Sequence, residues 1–597
     1  MQSEDTRNLV LAIAIVLAMM IGYELLFAKQ VAPEPDARTQ QNIEAGAGQP
    51  AQPGVAPAPG TAATPGTPDL SVREDRATAL TSSPRIAIKT PRLSGSLRLK
   101  GGRIDDLTLL GYRQTVEKDS PDVVLLSPGR TEHPYFVDFL WLDAAGRPGT
   151  ALPSQETEWQ TTATTLAPGK PAVLTWDNGQ GLVFTRTYSI DEHYLITVDE
   201  AVENMTGEPV SLKHYALVDR VGIPESAHSA LIHEGPMGVL AKDTGDSSRD
   251  LKNDITYKNL KEDALDENRT SAQTSYGGTE GGWLGIADKY WLVALVPDNA
   301  APFTGTFAYS LVNGRDVYRS AADSAARTVP AGGKIALKTR VFAGAKESRL
   351  LEAYESEQGI TLFDRAIDWG WMPFLAKPVF WLLEWLKTFL GNFGLAILAI
   401  TVLIKLAFFT LANKSYIAMG KMRKLTPKIT ALRERFKDDP TKQREEMMKL
   451  YQTEKVNPVA GCLPILVQIP VFIALYQVLM ASIEMRHAPF YGWVRDMSAQ
   501  DPLLITNLFG LIPWSPPSFL AIGIWTLIMG ATMYIQQQLN PPPPDPIQAK
   551  VFQFLPLLFI FMFASFPVGL VIYWTWNNIL TIAQQWVIMK RHGAFND

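Results

Sequence analysis

The 597-residue sequence predicts a multi-pass α-helical membrane protein with six spans that also carries a large antiparallel β-domain outside the membrane. Three observations point to this. Apolar residues collect in one run near the N-terminus and in several more beyond Trp369. The stretch between them is polar and alternates with the two-residue period of half-buried strands. A segment rich in Pro, Ala and Gly separates the first run from the alternating region. Averages conceal the division, because 46% hydrophobic and 19% charged residues with a mean hydropathy of +0.00 are the totals of an ordinary soluble protein.

Residues 9–27 are almost uninterrupted apolar sequence, long enough to cross roughly 30 Å of hydrocarbon. A cleavable signal peptide is the competing reading. The run exceeds the usual ~7–15-residue apolar core, and no small-x-small site follows before Lys29, so residues 1–28 are read as a signal anchor. Residues 29–80, with Pro50, Pro53, Pro57, Pro59, Pro65 and Pro68, bury too little to fold and form a tether. Residues 81–346 read as an antiparallel β-sandwich. Phe184, Tyr188 and Ile190 face one way and Thr185, Thr187 and Ser189 the other, and Gly101-Gly102 is a hairpin turn. Further strands are expected at 194–204, 291–297 and 305–312. His228 and His233 with Glu234 fit no common metal-ligand spacing and read as scattered surface histidines.

Residues 347–391 connect the β-domain to the spans. Trp369, Trp371, Trp381 and Trp385 stand among Lys377, Glu384 and Lys387, so 375–390 reads as an amphipathic helix lying on the outer membrane face. A helix packed wholly against protein is the alternative. Residues 392–592 form the membrane core, with spans at 393–411, 463–483 and 519–535. Residues 551–589 would make a helix of roughly 58 Å, nearly twice the hydrocarbon thickness, so the chain must fold back at Ser565-Phe566-Pro567-Val568-Gly569. The first arm, 551–565, is short for a span. Residues 593–597 are a short tail.

Between the first two core spans, 414–459 carries twelve Lys and Arg residues, from Lys414 to Lys455, whereas 485–516 offers only Arg486 and Arg495. The basic segment is therefore cytoplasmic, and with six spans both termini are too. Thr426-Pro427 reads as a helix start, Asp438-Asp439-Pro440 as a turn, and 441–455 as a second helix. Ile429, Leu432 and Phe436 would meet Met447, Leu450 and Tyr451 across this hairpin. Partner docking and simple packing explain its methionines and basic residues equally well.

Lys405 is the most informative residue. It lies mid-span, where a charge costs at least ~2.5–3.5 kcal/mol, so it should face a hydrated cavity or a partner. Thr401 shares its helical face, and no acidic residue sits in the other core spans apart from Glu484 at a span end. Trp574, Asn577, Asn578, Thr581 and Gln585 fall at helical spacing on the last span, while Gln536, Gln537 and Gln468 add amides on neighbouring ones. Interhelical hydrogen bonding accounts for one or two such amides. A full stripe beside an unpaired lysine favours a water-filled groove.

A net charge of −5 gives no support to nucleic-acid binding, and the single Cys462 excludes an internal disulfide and a Cys-based zinc cage. No nucleotide-binding loop, metal cluster or nucleophile–base arrangement stands out, so neither enzymatic chemistry nor a cofactor or metal is expected.

The stretches KMRKLTPKITALRERF, EKVNPVAGCLPILVQIPVFIALYQVL, SAQDP and FPVGLVIYWTWNN, in this order, resemble the YidC/Oxa family in its Gram-negative form. The resemblance covers essentially the whole chain and is strongest from Lys405 to Gln585. It implies a β-supersandwich at 81–346 and a five-span core around a hydrophilic groove, open to cytosol and lipid and closed toward the periplasm. It implies a bacterial inner-membrane insertase and chaperone that acts without nucleotide hydrolysis. The implied partners are nascent membrane proteins, membrane lipids, the Sec translocon (SecYEG and SecDF), and the ribosome or targeting factors at the hairpin. In the family's pattern an arginine stands where this chain has Lys405, and a threonine matches Thr401. A tyrosine pair corresponds to Tyr573 and Trp574, and Ile469 and Pro470 match positions that clients slide past. Lysine, unlike arginine, can lose its proton when desolvated. The long basic tail that helps some relatives hold ribosomes does not follow Arg591, so tail-mediated ribosome docking is not expected. Two other classes compete: a secondary transporter, against which no internal repeat is seen, and a carbohydrate-acting enzyme, for which the β-domain offers no convincing carboxylate pair.

Overall fold

The computed structural model describes residue 70 and residues 72–591, except 147–148, 225–231, 242–248, 267–268, 299–301, 438, 455, 457–462, 518–519 and 541–545. The anchor 1–28, most of the tether, His228, Cys462 and the tail 593–597 lie outside the described residues. Asp368 ends one compact unit and Trp369 begins another.

The first unit opens with the short helix α1, Arg76–Thr81, whose N-terminus is capped by Asp75 accepting from the Thr78 amide at 2.7 Å. Two sheets follow. The larger has eleven strands. Its main path runs Ser271–Thr279, Phe303–Val312, Arg315–Ser324, Val210–Val221, Tyr135–Asp143, Arg103–Arg113, Leu93–Arg98, Arg85–Lys89 and Thr165–Leu166. The smaller runs Arg249–Lys252, Gly235–Ala241, Trp283–Ala287, Trp291–Val296, Lys334–Ala345, Leu195–Asn204, Leu182–Ile190 and Ala172–Asp177. Pairing is antiparallel except for a two-residue parallel contact between Ala87-Ile88 and Thr165-Leu166. In the smaller sheet the last strand to be made, Lys334–Ala345, lies in the interior, between Trp291–Val296 and Leu195–Asn204. Helices α2, Tyr257–Asp266, and α3, Ser348–Gln358, complete the unit.

Alternation along Leu182–Ile190 is as expected, with Leu182, Phe184, Tyr188 and Ile190 buried, but Arg186 is buried on the same side. Its guanidinium donates to Glu200 Oε1 at 2.8 Å and reaches the Phe139 carbonyl of the larger sheet at 3.0 Å. Glu200 Oε1 also accepts from Trp141 Nε1 at 3.2 Å, and Glu200 Oε2 lies 2.5 Å from His214 Nε2. The 101–102 turn brings backbone within reach of this group. Gly101 and Gly102 have φ of 80° and 62°, and a Cβ at Gly102 would sit 2.7 Å from Arg186 Nη1. Arg103–Asp138 and Arg319–Asp219 are two further buried forks within the larger sheet.

The expectation of surface histidines fails at His233, which is buried with Glu234. The Glu234 carboxylate accepts from the Lys289 amide at 2.8 Å, and the His233 imidazole lies 3.0 Å from the Pro236 carbonyl. Each side chain is thus held by one backbone partner, and the His233 Nδ1 atom is buried without one among the described residues. Burial, with Asp288 nearby, pushes the Glu234 carboxyl up to about 7.

The second unit is helical: α4 Pro373–Leu390, α5 Phe393–Ala407, α6 Phe409–Arg435, α7 Pro440–Thr453, α8 Leu463–Ala481, α9 Ile524–Leu539, α10 Pro546–Phe563 and α11 Val568–Arg591. Gly391, at φ 69°, ends α4, and Asn392 caps α5 by accepting from the Leu395 amide at 3.1 Å. The two helices are bent 118° apart. One face of α4 buries Ala376, Val379, Phe380, Leu383 and Leu386, while Trp381, Trp385 and Phe389 are exposed. The tryptophan cluster divides: Trp369 is buried against Phe380, and Trp371 is exposed.

Several boundaries differ from expectation. The 393–411 span breaks at Phe408, where α6 begins. The third core span starts only at Ile524, and the arm expected at 551–565 begins earlier, at Pro546. Among the described residues no single helix is long and apolar enough to cross a membrane, whereas the bent pair α4–α5 is so in combination. The chain turns between Phe563 and Val568, as expected. Thr426-Pro427 does not start a helix. Pro427 lies inside α6, and Thr426 Oγ1 donates to the Met422 carbonyl, four residues back. Packing of Leu425 and Ile429 on Val456, with Met422, Met447, Leu450 and Tyr451 around them, holds this helix through the proline. Asp439 caps α7, as the turn at Pro440 requires.

The buried pair yields a stability test. Burial alone would raise the Glu200 carboxyl, but Arg186 and His214 outweigh it and hold it at about 2, below the ordinary carboxylate range. A depressed folded-state value contributes stability that is present above the unfolded value and is lost as pH falls through about 2. Glu200→Gln should therefore destabilise the unit at neutral pH by about 3–5 kcal/mol, because Arg186 is left buried and uncompensated. The urea midpoint, read by hydrogen exchange over Leu195–Asn204, should differ between variant and parent at pH 7 and converge toward pH 2.

Candidate functional site

Helix α5 is apolar apart from Thr401 and Lys405, and Lys405 falls in its last turn rather than at mid-helix. A cation there is favoured by the negative end of the helix dipole. Its ammonium donates to Thr581 Oγ1 on α11 at 2.7 Å, and that hydroxyl donates in turn to the Asn577 carbonyl at 2.7 Å. An ammonium carries three donors, and Thr581 takes one. Thr401 is buried and donates to the Ile397 carbonyl at 2.6 Å, one turn back.

Beside Lys405 lies a partly open cavity of about 110 Å³, large enough for several waters. It brings together Lys405, Thr401, Gln468, Gln536, Tyr573, Asn577, Thr581 and Gln585, from α5, α8, α9 and α11. Among the described lining residues none is Asp or Glu. Phe408, Tyr416, Met419, Asn540 and Gln584 also line it, and sequence reading missed them. Phe408, Ala412, Tyr416 and Met419 follow helical spacing, a signal obscured by the basic residues Lys414 and Lys421 around them.

Four residues singled out by the sequence lie outside the cavity lining. Trp574 does not line the cavity. Its indole packs on Phe472, Phe563 and Phe559 at centroid distances of 4.9, 5.3 and 6.0 Å. At about 100° per residue, Tyr573, Asn577 and Thr581 share one face of α11 and Trp574 is turned from it. Asn578 leaves the cavity too, donating to Thr532 Oγ1 on α9 at 3.0 Å. Ile469 and Pro470 follow Gln468 on α8 outside the lining, with Ile469 47% exposed. Among the described residues, helix α10 contributes none to the lining. The amides thus divide: Asn578 joins helices, Asn577 faces the cavity, and Gln585 does both, donating to Asn540 Oδ1 at 3.0 Å.

Fold and site together define a two-unit protein, with an apolar helical unit that holds a partly open cavity lined by a lysine and amides, and a β-sandwich unit preceding it in the chain. The family model described as 60Kd inner membrane protein matches residues 385–594, and that of the YidC periplasmic domain matches residues 85–382. Membrane protein insertase YidC of Beijerinckia indica subsp. indica is 46% identical over 99% of this chain and 97% of its own length. The protein of the same name from Granulibacter bethesdensis is 45% identical over 98% of both chains. The chain belongs to the YidC family, which places it in the inner membrane with an all-β periplasmic domain. A galactose mutarotase related enzyme from Lactobacillus acidophilus aligns with 44% of this chain and 97% of its own, at 9% identity and a TM-score of 0.31, too remote to transfer an activity.

The Asn578–Thr532 contact should behave as a modest interhelical bond. A double-mutant cycle of Asn578→Ala and Thr532→Val, read as thermal unfolding in detergent, should give a coupling of about 0.6 kcal/mol and no more than about 1.7. Trp574→Ala should destabilise more, by about 3–5 kcal/mol, because it empties an aromatic cluster.

Proposed function

We propose that this chain is a membrane protein insertase and chaperone, which passes nascent inner-membrane proteins into the bilayer through the Lys405 cavity without enzymatic chemistry. The observation that carries this is an ammonium held by one hydroxyl in a cavity whose described lining has no carboxylate to neutralise it. A client's acidic, translocating segment would be drawn to Lys405, with Thr401, Gln468, Gln536, Tyr573, Asn577, Thr581 and Gln585 along its path. The client's apolar span would leave beside Ile469 and Pro470. Exposure of Ile469, one residue from the cavity-lining Gln468, supports that exit.

The client supplies the energy. A span of about 20 residues gains very roughly 8 kcal/mol on entering lipid, and carrying two acidic residues across costs about 5–7 kcal/mol. The membrane potential offsets about 2.3 kcal/mol per negative charge per 100 mV. Terms so nearly balanced are decided by a wet groove and a thinned bilayer. Six spans with both termini cytoplasmic, a groove open to cytosol and lipid, and cooperation with the Sec translocon belong to the same reading. So does docking of the ribosome or targeting factors on the α6–α7 hairpin, whose basic residues support a cytoplasmic position.

Protease protection of a small two-span client, inserted into proteoliposomes that contain only this protein, tests the activity. Protection should require the protein, and its absence with folded, correctly oriented protein would overturn the reading. Lys405→Arg should retain insertion, while Lys405→Glu should lower it about tenfold or more, a loss equivalent to roughly 1.4 kcal/mol. Equal insertion by the two variants would remove the electrostatic role.

A further inference from the structure

The loop between α8 and α9 ends in a tip, residues 508–514, whose sequence is Leu-Phe-Gly-Leu-Ile-Pro-Trp. It exposes Leu508, Phe509, Ile512 and Trp514 at 43–53% and Leu511 at 82%. No charged residue occurs from Pro502 to Pro544. We propose that this tip seats in the headgroup–acyl boundary of the bilayer leaflet on its own side of the membrane, as a fixed lipid contact of the helical unit.

Exposed side chains alone would not select lipid as the occupant, and the backbone supplies a second argument. Six residues of the tip carry an amide hydrogen, Pro513 having none, and each donates within the loop. Leu508 and Phe509 donate to the carbonyls of Ile505 and Leu504, at 3.1 and 2.8 Å. Gly510 and Ile512 donate to that of Asn507, at 3.2 and 3.1 Å. Leu511 donates to Leu508 and Trp514 to Ile512, at 3.2 and 2.8 Å. Irregular backbone enters an apolar medium the more readily as its polar groups are satisfied internally; every N–H of this tip is so satisfied, as are the carbonyls of Leu508 and Ile512, and the headgroup level can hydrate the rest. Indole favours the headgroup level, and Trp514 stands at the tip's end.

The tip is also held in position. Asp501 accepts from Trp493 Nε1 at 2.9 Å, from the Leu503 amide at 3.1 Å and from the Trp525 amide, in the first turn of α9, at 2.9 Å. Ile505 donates to the Ile522 carbonyl at 3.0 Å and Ile524 to that of Leu503 at 3.2 Å, closing the neck of the loop on α9. Leu508 and Phe509 adopt φ of 49° and 61°, conformations that L side chains rarely take. A covered apolar tip gives that strained turn a purpose.

The proposal rests on the reading that α8 and α9 cross the membrane, so the experiment reports both. The full chain, with its single cysteine replaced by Cys462→Ser, is placed at one copy per lipid nanodisc. An environment-sensitive fluorophore is attached at Leu511→Cys, at Ile528→Cys on α9, or at Leu265→Cys, an exposed position of the β-unit. At 511, as at 528, emission should shift to the blue and be lost when nitroxide-bearing lipid is included, while 265 stays unchanged. Quenching at 528 without quenching at 511 overturns the tip contact alone. Quenching at neither overturns the spanning reading and the proposal with it. A blue shift at 511 that nitroxide lipid leaves intact means that protein covers the tip, and this also overturns the lipid contact.

Discussion

An ammonium surrounded by apolar helices must find oxygen and water, and the helical unit is organised around that requirement. Lys405 is met by Thr581, and Thr581 is fixed by the carbonyl of Asn577, so α5 and α11 are held together at the place where the charge sits. Trp576 adds a second tie between them, donating to the Leu398 carbonyl at 3.2 Å. The break at Phe408 is part of the same solution. It places the lysine in the last turn of α5 and lets α6 depart, with Tyr416 and Met419 closing the cavity from another side.

The β-unit solves a related problem differently. Its interior holds full charges, and Arg186, Arg103 and Arg319 each meet a buried carboxylate directly. Arg186 shows the arrangement: one side chain, fully buried, touches a carboxylate of its own sheet and carbonyls of the other. Such pairs add little net stability over apolar packing, but removing one partner leaves the other buried and uncompensated.

Legibility in the sequence followed the physics of each signal. Lys405 and Thr401 were readable because a charge in an apolar helix has few explanations. Asn577, Thr581 and Gln585 were readable because helical spacing gathers them. Trp574 and Asn578 share that spacing loosely, and only the packing of Phe472, Phe559 and Phe563 decides which way the indole turns. Tyr416 was hidden by basic neighbours. Arg186 was hidden because alternation assigns arginine to the wet face, whereas a partner 14 residues away brings it inside. Pro427 reads locally as a helix start, yet tertiary contacts of Leu425 and Ile429 carry the helix past it. Two-residue alternation marked the strands, but their order in the sheets depends on pairings that leave no local trace.

Placement of the last strand in the interior of the smaller sheet governs how this protein comes into being. Lys334–Ala345 fills the gap between Leu195–Asn204 and Trp291–Val296, so the sheet stays divided until the C-terminal end of the domain has been exported. At synthesis rates of ~5–20 residues per second, that end emerges on the order of 10 s after Asn204. Strand order thus makes completion of this sheet a late step of folding, dependent on the C-terminal end of the domain.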